Sequence, residues 1–79
     1  MTYDFEHIRD NLMTEIKADL LHASIMLAYQ QENVINPKAM SKGEANEGVM
    51  AWTSKVISLE KRLEMYKKFD LKKLKKYDL

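Results

Sequence analysis

The sequence predicts an all-α protein: an antiparallel two-helix hairpin followed by a short basic C-terminal helix. Three observations support this fold class. Apolar residues recur at steps of three and four along most of the chain, one proline interrupts the pattern near the middle, and a helix-capping sequence follows shortly after it. Because the two periodic stretches have similar lengths and a short connection, they are expected to pack side by side in opposite directions.

The first helix is expected to span about residues 3–33. Thr2 or Asp4 can cap it, since a side-chain oxygen there accepts a hydrogen bond from a free backbone N–H of the first turn. Asn33 is the expected helix end, because Pro37 disfavours helical geometry in the residue before it. When the helix is projected at about 100° per residue, one face carries its expected core residues: Phe5, Ile8, Leu12, Ile16, Leu20, Ala23 and Leu27.

A loop over 34–40 leads to the second helix, which is expected over about 42–68. Ser41 and Glu44 form a capping box, in which the serine hydroxyl accepts from the Glu44 N–H and the glutamate reaches back to the serine N–H. Gly48 lies inside this helix and should weaken it by about 1 kcal/mol relative to alanine. An uninterrupted heptad series forms its expected core face: Val49, Trp52, Val56, Leu59, Leu63 and Tyr66.

The C-terminal extension, 69–79, is rich in lysine. Asp70 falls where the next core residue of the second helix should lie, and it could instead cap a short third helix, Leu71–Tyr77. The chain is short enough that 1–79 is expected to form a single domain.

The length and composition indicate that the hairpin associates with other chains. The chain has 79 residues and no cysteine. A chain this short buries a small core, and without disulfides it needs another source of stability. We therefore expect a homo-oligomer in which two hairpins pair into a four-helix bundle. Residues 1–32 carry six acids against two bases and residues 33–79 carry eleven bases against six acids, so opposite charges favour side-by-side packing.

The hydropathy pattern predicts no membrane-spanning segment. The longest stretch without a charge, 20–31, has twelve residues, whereas a spanning helix needs about 20 apolar residues. The acidic first residues are unlike a signal or transit peptide, and the absence of cysteine fits a reducing compartment. We expect a cytoplasmic protein.

Apolar residues outside the two predicted core faces indicate a binding function. Leu21, Ile25 and Tyr29 add apolar surface on the far side of the first helix, and Met50 and Ile57 do so on the second. These five residues are the candidate contacts for a larger protein, which this chain would serve as an adaptor, regulator or inhibitor. Two alternatives remain open: the second-helix pair forms a contact between two copies, or self-association covers all such residues in a purely structural homo-oligomer.

The lysine-rich tail predicts an alternative function, the binding of nucleic acid. Lysines bind phosphates by releasing counterions, and neighbouring aromatic rings can stack on bases. The tail has no arginine, which reads phosphate and guanine more specifically, and lysines at a helix C-terminus are also favourable as solvated cations. The candidate residues are Lys67, Lys68, Lys72, Lys73, Lys75 and Lys76.

Signals for an enzyme or a metalloprotein are weak. Glu15, Asp19 and His22 share one helical face, but a metal site in a helical bundle needs further ligands from facing helices. A polar flank beside the core is the preferred interpretation. There is no cysteine nucleophile and no glycine-rich phosphate loop. We therefore expect no catalytic activity, no metal and no cofactor.

Overall fold

A computed structural model describes residues 4–36 and 40–77 of the chain. Two α-helices, α1 (Phe5–Ile35) and α2 (Lys42–Lys68), are followed by a 3₁₀ helix, Leu71–Tyr77. The two α-helices pack against each other, and the residues described include no strand. The prediction of an all-helical hairpin is therefore confirmed.

The first helix begins at an expected cap and ends two residues later than expected. The Asp4 carboxylate accepts a hydrogen bond from the His7 backbone N–H, with 3.1 Å between oxygen and nitrogen. Asn33 lies buried inside the helix, and its Nδ2 donates to the Tyr29 carbonyl oxygen at 3.0 Å. The helix continues to Ile35 because a proline disfavours helical geometry only in the residue directly before it.

The second helix and the 3₁₀ helix begin with local side-chain caps. Ser41 Oγ accepts from the Glu44 backbone N–H at 3.2 Å, which is one of the two hydrogen bonds of the predicted capping box. The return bond, from the Ser41 N–H to the Glu44 carboxylate, is not among the hydrogen bonds of the described residues. Asp70 Oδ1 accepts from the Lys72 N–H at 3.0 Å, and the Asp70 carbonyl oxygen accepts from the Lys73 N–H at 3.1 Å. The expected third helix is thus present, wound with three residues per turn rather than 3.6.

The core is a narrow row of side chains between α1 and α2. Ile16, Ala23 and Leu59 are buried and form its centre. The heptad series predicted for α2 is confirmed, since every member of it is buried or half-buried. Five half-buried side chains pack around the centre: Leu20, Trp52, Val56, Leu63 and Tyr66.

The core face predicted for α1 is wrong near the start of the helix. Ile8 and Leu12 are exposed, whereas Arg9 and Met13 take half-buried positions. Ile16, Leu12 and Ile8 follow one another toward the start of the helix at two successive intervals of four residues. Each step of four rotates the position by about 40°, so Ile8 lies about 80° away from the direction of Ile16 and falls outside the core.

The two helices approach closely where α2 carries a glycine. A Cβ atom added to Gly48 would lie 2.8 Å from Gln30 Cδ and 3.0 Å from Gln30 Cγ. Glycine accommodates this approach although it lowers helix propensity. The Gln30 side chain is buried there, and its Oε1 has no hydrogen-bond partner among the described residues.

The hairpin is a thin rod. Its principal extents are 55 × 15 × 15 Å and its Cα radius of gyration is 17.8 Å, against about 12 Å for a compact domain of this length. An α-helix with its side chains is about 10–12 Å across, so the rod is a single layer of two helices. Each helix therefore has an outer side that its neighbour does not cover.

Candidate functional site

An apolar groove opens at the end of the rod where α1 begins and α2 ends, and the 3₁₀ helix forms its third wall. We call it the end groove. Its volume of about 310 Å³ lies at the lower limit of the range of about 300–1,000 Å³ found for ligand pockets. The residues that line it are Phe5, Ile8, Arg9, Leu12, Met65, Tyr66, Phe69, Leu71 and Leu74.

Each wall of the end groove follows from local helix geometry. Ile8 and Leu12 are four residues apart in α1, so they lie on the same flank of that helix. Met65 in α2 and the C-cap residue Phe69 have the same spacing. The 3₁₀ helix contributes two leucines that are three residues apart, a spacing at which side chains eclipse when there are three residues per turn.

Much of the groove lining is exposed. Ile8, Leu12, Met65 and Phe69 are all exposed large apolar residues, and Met65 presents 55% of its surface. Single exposed apolar side chains are ordinary, but a contiguous patch of them marks a binding or self-association surface. The end groove is therefore the strongest candidate binding site in the described part of the chain.

Of the described residues that line the end groove, only Arg9 carries a charge. Its side chain is 27% exposed, and its Nε lies 3.9 Å from Asp10 Oδ1, which is too far for a hydrogen bond. Within the described ranges, Arg9 Nε is buried without a hydrogen-bond partner. The groove thus combines an apolar surface with one cation whose hydrogen-bonding capacity is not fully used.

The candidate contacts predicted on α1 lie on its outer side. Leu21 and Ile25 are exposed, and each lies two residues from Ala23, which is fully buried against α2. Two residues rotate the helix by about 200°, so both side chains point away from α2. Tyr29 is also exposed and stands in the same relation to half-buried Leu27. We call Leu21, Ile25 and Tyr29 the α1 outer stripe.

The candidate contacts predicted on α2 lie on the outer side of that helix. Met50, which is 72% exposed, precedes the core residue Trp52 by two positions. Ile57 is exposed and precedes buried Leu59 by two positions. We call Met50 and Ile57 the α2 outer pair. Because the outer sides of two packed helices face in different directions, the structure does not join the α1 outer stripe and the α2 outer pair into one surface.

The lysine candidates fall on two elements. Lys67 and Lys68 close α2 and are exposed, and Lys68 Nζ pairs with Glu64 Oε1 at 3.1 Å. Lys72 and Lys73 are exposed on the 3₁₀ helix, beside the leucines that line the end groove. The side chains of two further candidates lie outside the described residues: Lys75 and Lys76.

The polar face of Glu15, Asp19 and His22 meets the edge of the core. The His22 ring contacts Trp52 edge to face, with 5.6 Å between ring centroids and 84° between ring planes. Across residues 4–36 and 40–77, no group of three or more histidine, cysteine, aspartate or glutamate side chains is placed to hold a metal ion. The same residues include no helix with the length and apolar character needed to cross a membrane.

Sequence reasoning missed the end groove. It assigned Ile8 and Leu12 to the core and left Met65 without a role. One signal was available: Leu71 and Leu74 are followed by Tyr77 three residues later, and this period of three matches a 3₁₀ helix with one apolar face.

Comparison of the chain with known protein families, with curated proteins and with solved structures gave no match.

Proposed function

We propose that this protein is a non-catalytic binding module that acts on a larger protein as an adaptor, regulator or inhibitor, and that it works as a homodimer whose two hairpins form a four-helix assembly. The supporting observation is the surface that one hairpin leaves uncovered. The chain has 6347 Å² of accessible surface, whereas a compact monomer of 9.3 kDa has about 5,000 Å². The excess of about 1,300 Å² is more than the roughly 800 Å² per partner that a standard interface buries.

The α1 outer stripe is the proposed contact between the two hairpins. Because it faces away from α2, pairing through it sets the four helices side by side in one row. It extends from Leu21 to Tyr29, which is about 12 Å of helix at 1.5 Å per residue. Full burial of a leucine or isoleucine side chain contributes about 1.5–3 kcal/mol. Leu21 and Ile25 are more than half exposed in one hairpin, so covering them gives about 1–2 kcal/mol each. That gain matters because no large side chain of the described residues is fully buried within one hairpin.

The α2 outer pair stays accessible when two α1 helices form the dimer contact. Met50 and Ile57 are then available to the larger protein partner. Such a partner would bury apolar surface that the dimer leaves exposed, and this burial is the usual driving force for protein association.

Sedimentation equilibrium of the full chain tests the dimer. The expected mass is about 19 kDa, twice that of the 9.3 kDa chain. Ile25→Glu is expected to give monomer, because the introduced carboxylate would lose its hydration in the apolar contact. Gln31→Glu adds the same charge at an exposed residue of α1 about 120° around the helix from Ile25 and should leave the dimer intact. A wild-type monomer at micromolar concentration that unfolds cooperatively would contradict the proposed dimer.

Capture from a host lysate at moderate salt tests the protein-binding function. A tagged wild-type chain should retain a protein that untagged wild type displaces. The double variant Met50→Glu/Ile57→Glu should lose that protein while keeping the dimer mass. If a stable dimer retains no protein, the chain is a purely structural homo-oligomer and the binding function is wrong.

Nucleic-acid binding is a second candidate function, favoured by the exposure of Lys72 and Lys73 on the 3₁₀ helix. Fluorescence anisotropy with labelled DNA and RNA over a salt series tests it. On duplex DNA the logarithm of the affinity should fall with the logarithm of salt concentration at a slope of about −0.9 per phosphate contact.

Two sets of lysine-to-glutamine changes separate a specific tail effect from net charge. The first set neutralises four lysines of the tail: Lys72, Lys73, Lys75 and Lys76. The second neutralises four lysines elsewhere: Lys17, Lys42, Lys55 and Lys61. Nucleic-acid binding by the tail predicts loss of affinity for the first set only. Equal effects of both sets, or an affinity that does not depend on salt, would rule it out.

A further inference from the structure

We propose that the end groove binds a short amphipathic helix of the partner protein, about two turns long, with an acidic side chain on its flank that pairs with Arg9. This inference rests on the proposed protein-binding function. It adds a second contact for the same partner, in addition to the α2 outer pair, and gives that contact a partner chemistry. A small apolar ligand or a second copy of the chain in the same groove are the outcomes that would replace it.

The shape of the groove fits a helix. Its α1 wall extends over eight residues, from Phe5 to Leu12, and is about 10 Å long, which is the length of two helical turns. Helices that dock in grooves use apolar anchors at positions i, i+3 or i+4, and i+7, so their anchors span the same length. A small-molecule site encloses about 70–90% of its ligand, whereas Ile8, Leu12 and Met65 stand exposed in an open groove.

The positive charge of the groove favours a docked helix that has an acidic side chain on its flank. The described lining has one cation, Arg9, and no acid. A carboxylate can accept charge-assisted hydrogen bonds from a guanidinium. Because Arg9 Nε is buried, the carboxylate of the docked helix would contact the part of the side chain that remains exposed, 27% of its surface. The ion pair with Asp10 is long and 70% exposed on the aspartate side, so displacing it costs little. A basic helix would instead bring its cations against Arg9.

Two synthetic peptides on the full chain test the proposal. Both are helical and carry leucines at positions i, i+3, i+4 and i+7; one has glutamates on the flank of that stripe and the other has lysines at the same places. The glutamate peptide is expected to bind about tenfold more tightly, with amide chemical-shift changes confined to the residues of the end groove. Equal affinity for the two peptides, or shift changes centred on the α1 outer stripe, would overturn the inference.

Variants of Arg9 separate charge recognition from apolar docking. Arg9→Met should abolish the preference for the glutamate peptide while weaker, leucine-dependent binding remains. Arg9→Lys keeps the positive charge and should retain part of the preference, which guards against a folding defect in the first variant. A preference that survives Arg9→Met would show that Arg9 does not read the acidic flank.

Two exposed apolar residues provide the matched control for the apolar part. Met65→Gln, inside the end groove, should weaken binding of the glutamate peptide about tenfold. Ile35→Gln, at the other end of α1 and 86% exposed, should leave it unchanged. Both variants should keep the dimer mass, so failure of the groove is distinguishable from failure of the dimer. If the Met65→Gln variant is a monomer, the groove is a self-association face. If the wild-type chain binds decanoate tightly and binds neither peptide, the groove is a small-molecule site.

Discussion

Replacing Gly48 with alanine is expected to destabilise the protein, although alanine is the better helix former. In an unobstructed helix the change stabilises by about 1 kcal/mol. Here the new Cβ would lie 2.8 Å from Gln30 Cδ, 3.0 Å from Gln30 Cγ and 3.2 Å from Gln30 Nε2. The end of a glutamine side chain can often move aside, but Gln30 is only 9% exposed and has little room to do so, and overpacking of this kind costs about 1–3 kcal/mol. The expected net loss is about 1 kcal/mol.

Urea unfolding followed by circular dichroism measures this loss. The protein concentration is held fixed, because self-association makes the apparent free energy of unfolding depend on it. Gly43→Ala is the matched control: a Cβ at Gly43 meets nothing within 4 Å, so it should stabilise by about 0.5 kcal/mol. In a Gln30→Ala background, Gly48→Ala should also become stabilising, because the obstructing side chain is gone. If Gly48→Ala stabilises the wild-type chain as much as Gly43→Ala does, the close approach at this point is wrong.

Three further substitutions test the core, the helix cap and the buried amide. Leu59→Ala should lower the free energy of unfolding by about 3 kcal/mol, because Leu59 is 4% exposed. Ile57→Ala should lower it by less than about 1 kcal/mol, because Ile57 is 48% exposed. Equal losses of stability in thermal unfolding would contradict the assigned core. Ser41→Ala should lose about 1 kcal/mol by removing the cap of α2, while Ser54→Ala should lose nothing; identical melting curves would contradict the cap. Gln30→Met should gain about 1 kcal/mol by removing a buried oxygen without a partner, and an unchanged urea midpoint would show that water satisfies that oxygen.

The second helix illustrates what a sequence specifies well. Ser41 supplies the cap and the heptad series places each core residue within one turn of the last, so both features depend only on local spacing. The start of the first helix illustrates the opposite case. Ile8 and Arg9 are adjacent, and either can be turned toward α2 by a small rotation of the helix. Hydrophobicity alone favoured Ile8, but the structure places Arg9 in the half-buried position.

The candidate sites also divide into those that the local sequence pattern predicts and one that it does not. The α1 outer stripe and the α2 outer pair were predicted because apolar residues stood opposite a core face of the same helix, a relation that helical periodicity defines. Their exposure is confirmed, and their binding role stays a prediction. The end groove could not be predicted, because its walls come from three elements whose meeting point depends on how the chain turns after Phe69.

The sequence by itself determined the helices, their caps and the shared direction of the α2 core residues, because each of these depends on contacts within a few positions along the chain. Only the tertiary structure decided how far α1 is rotated against α2, which glycine lies against a buried side chain of α1, and where the 3₁₀ helix comes to lie. These depend on contacts between residues distant in sequence, where the volume of one side chain sets the position of another. Gly48 and Gln30 form such a pair, and the end groove with Arg9 in its wall is the functional consequence we propose.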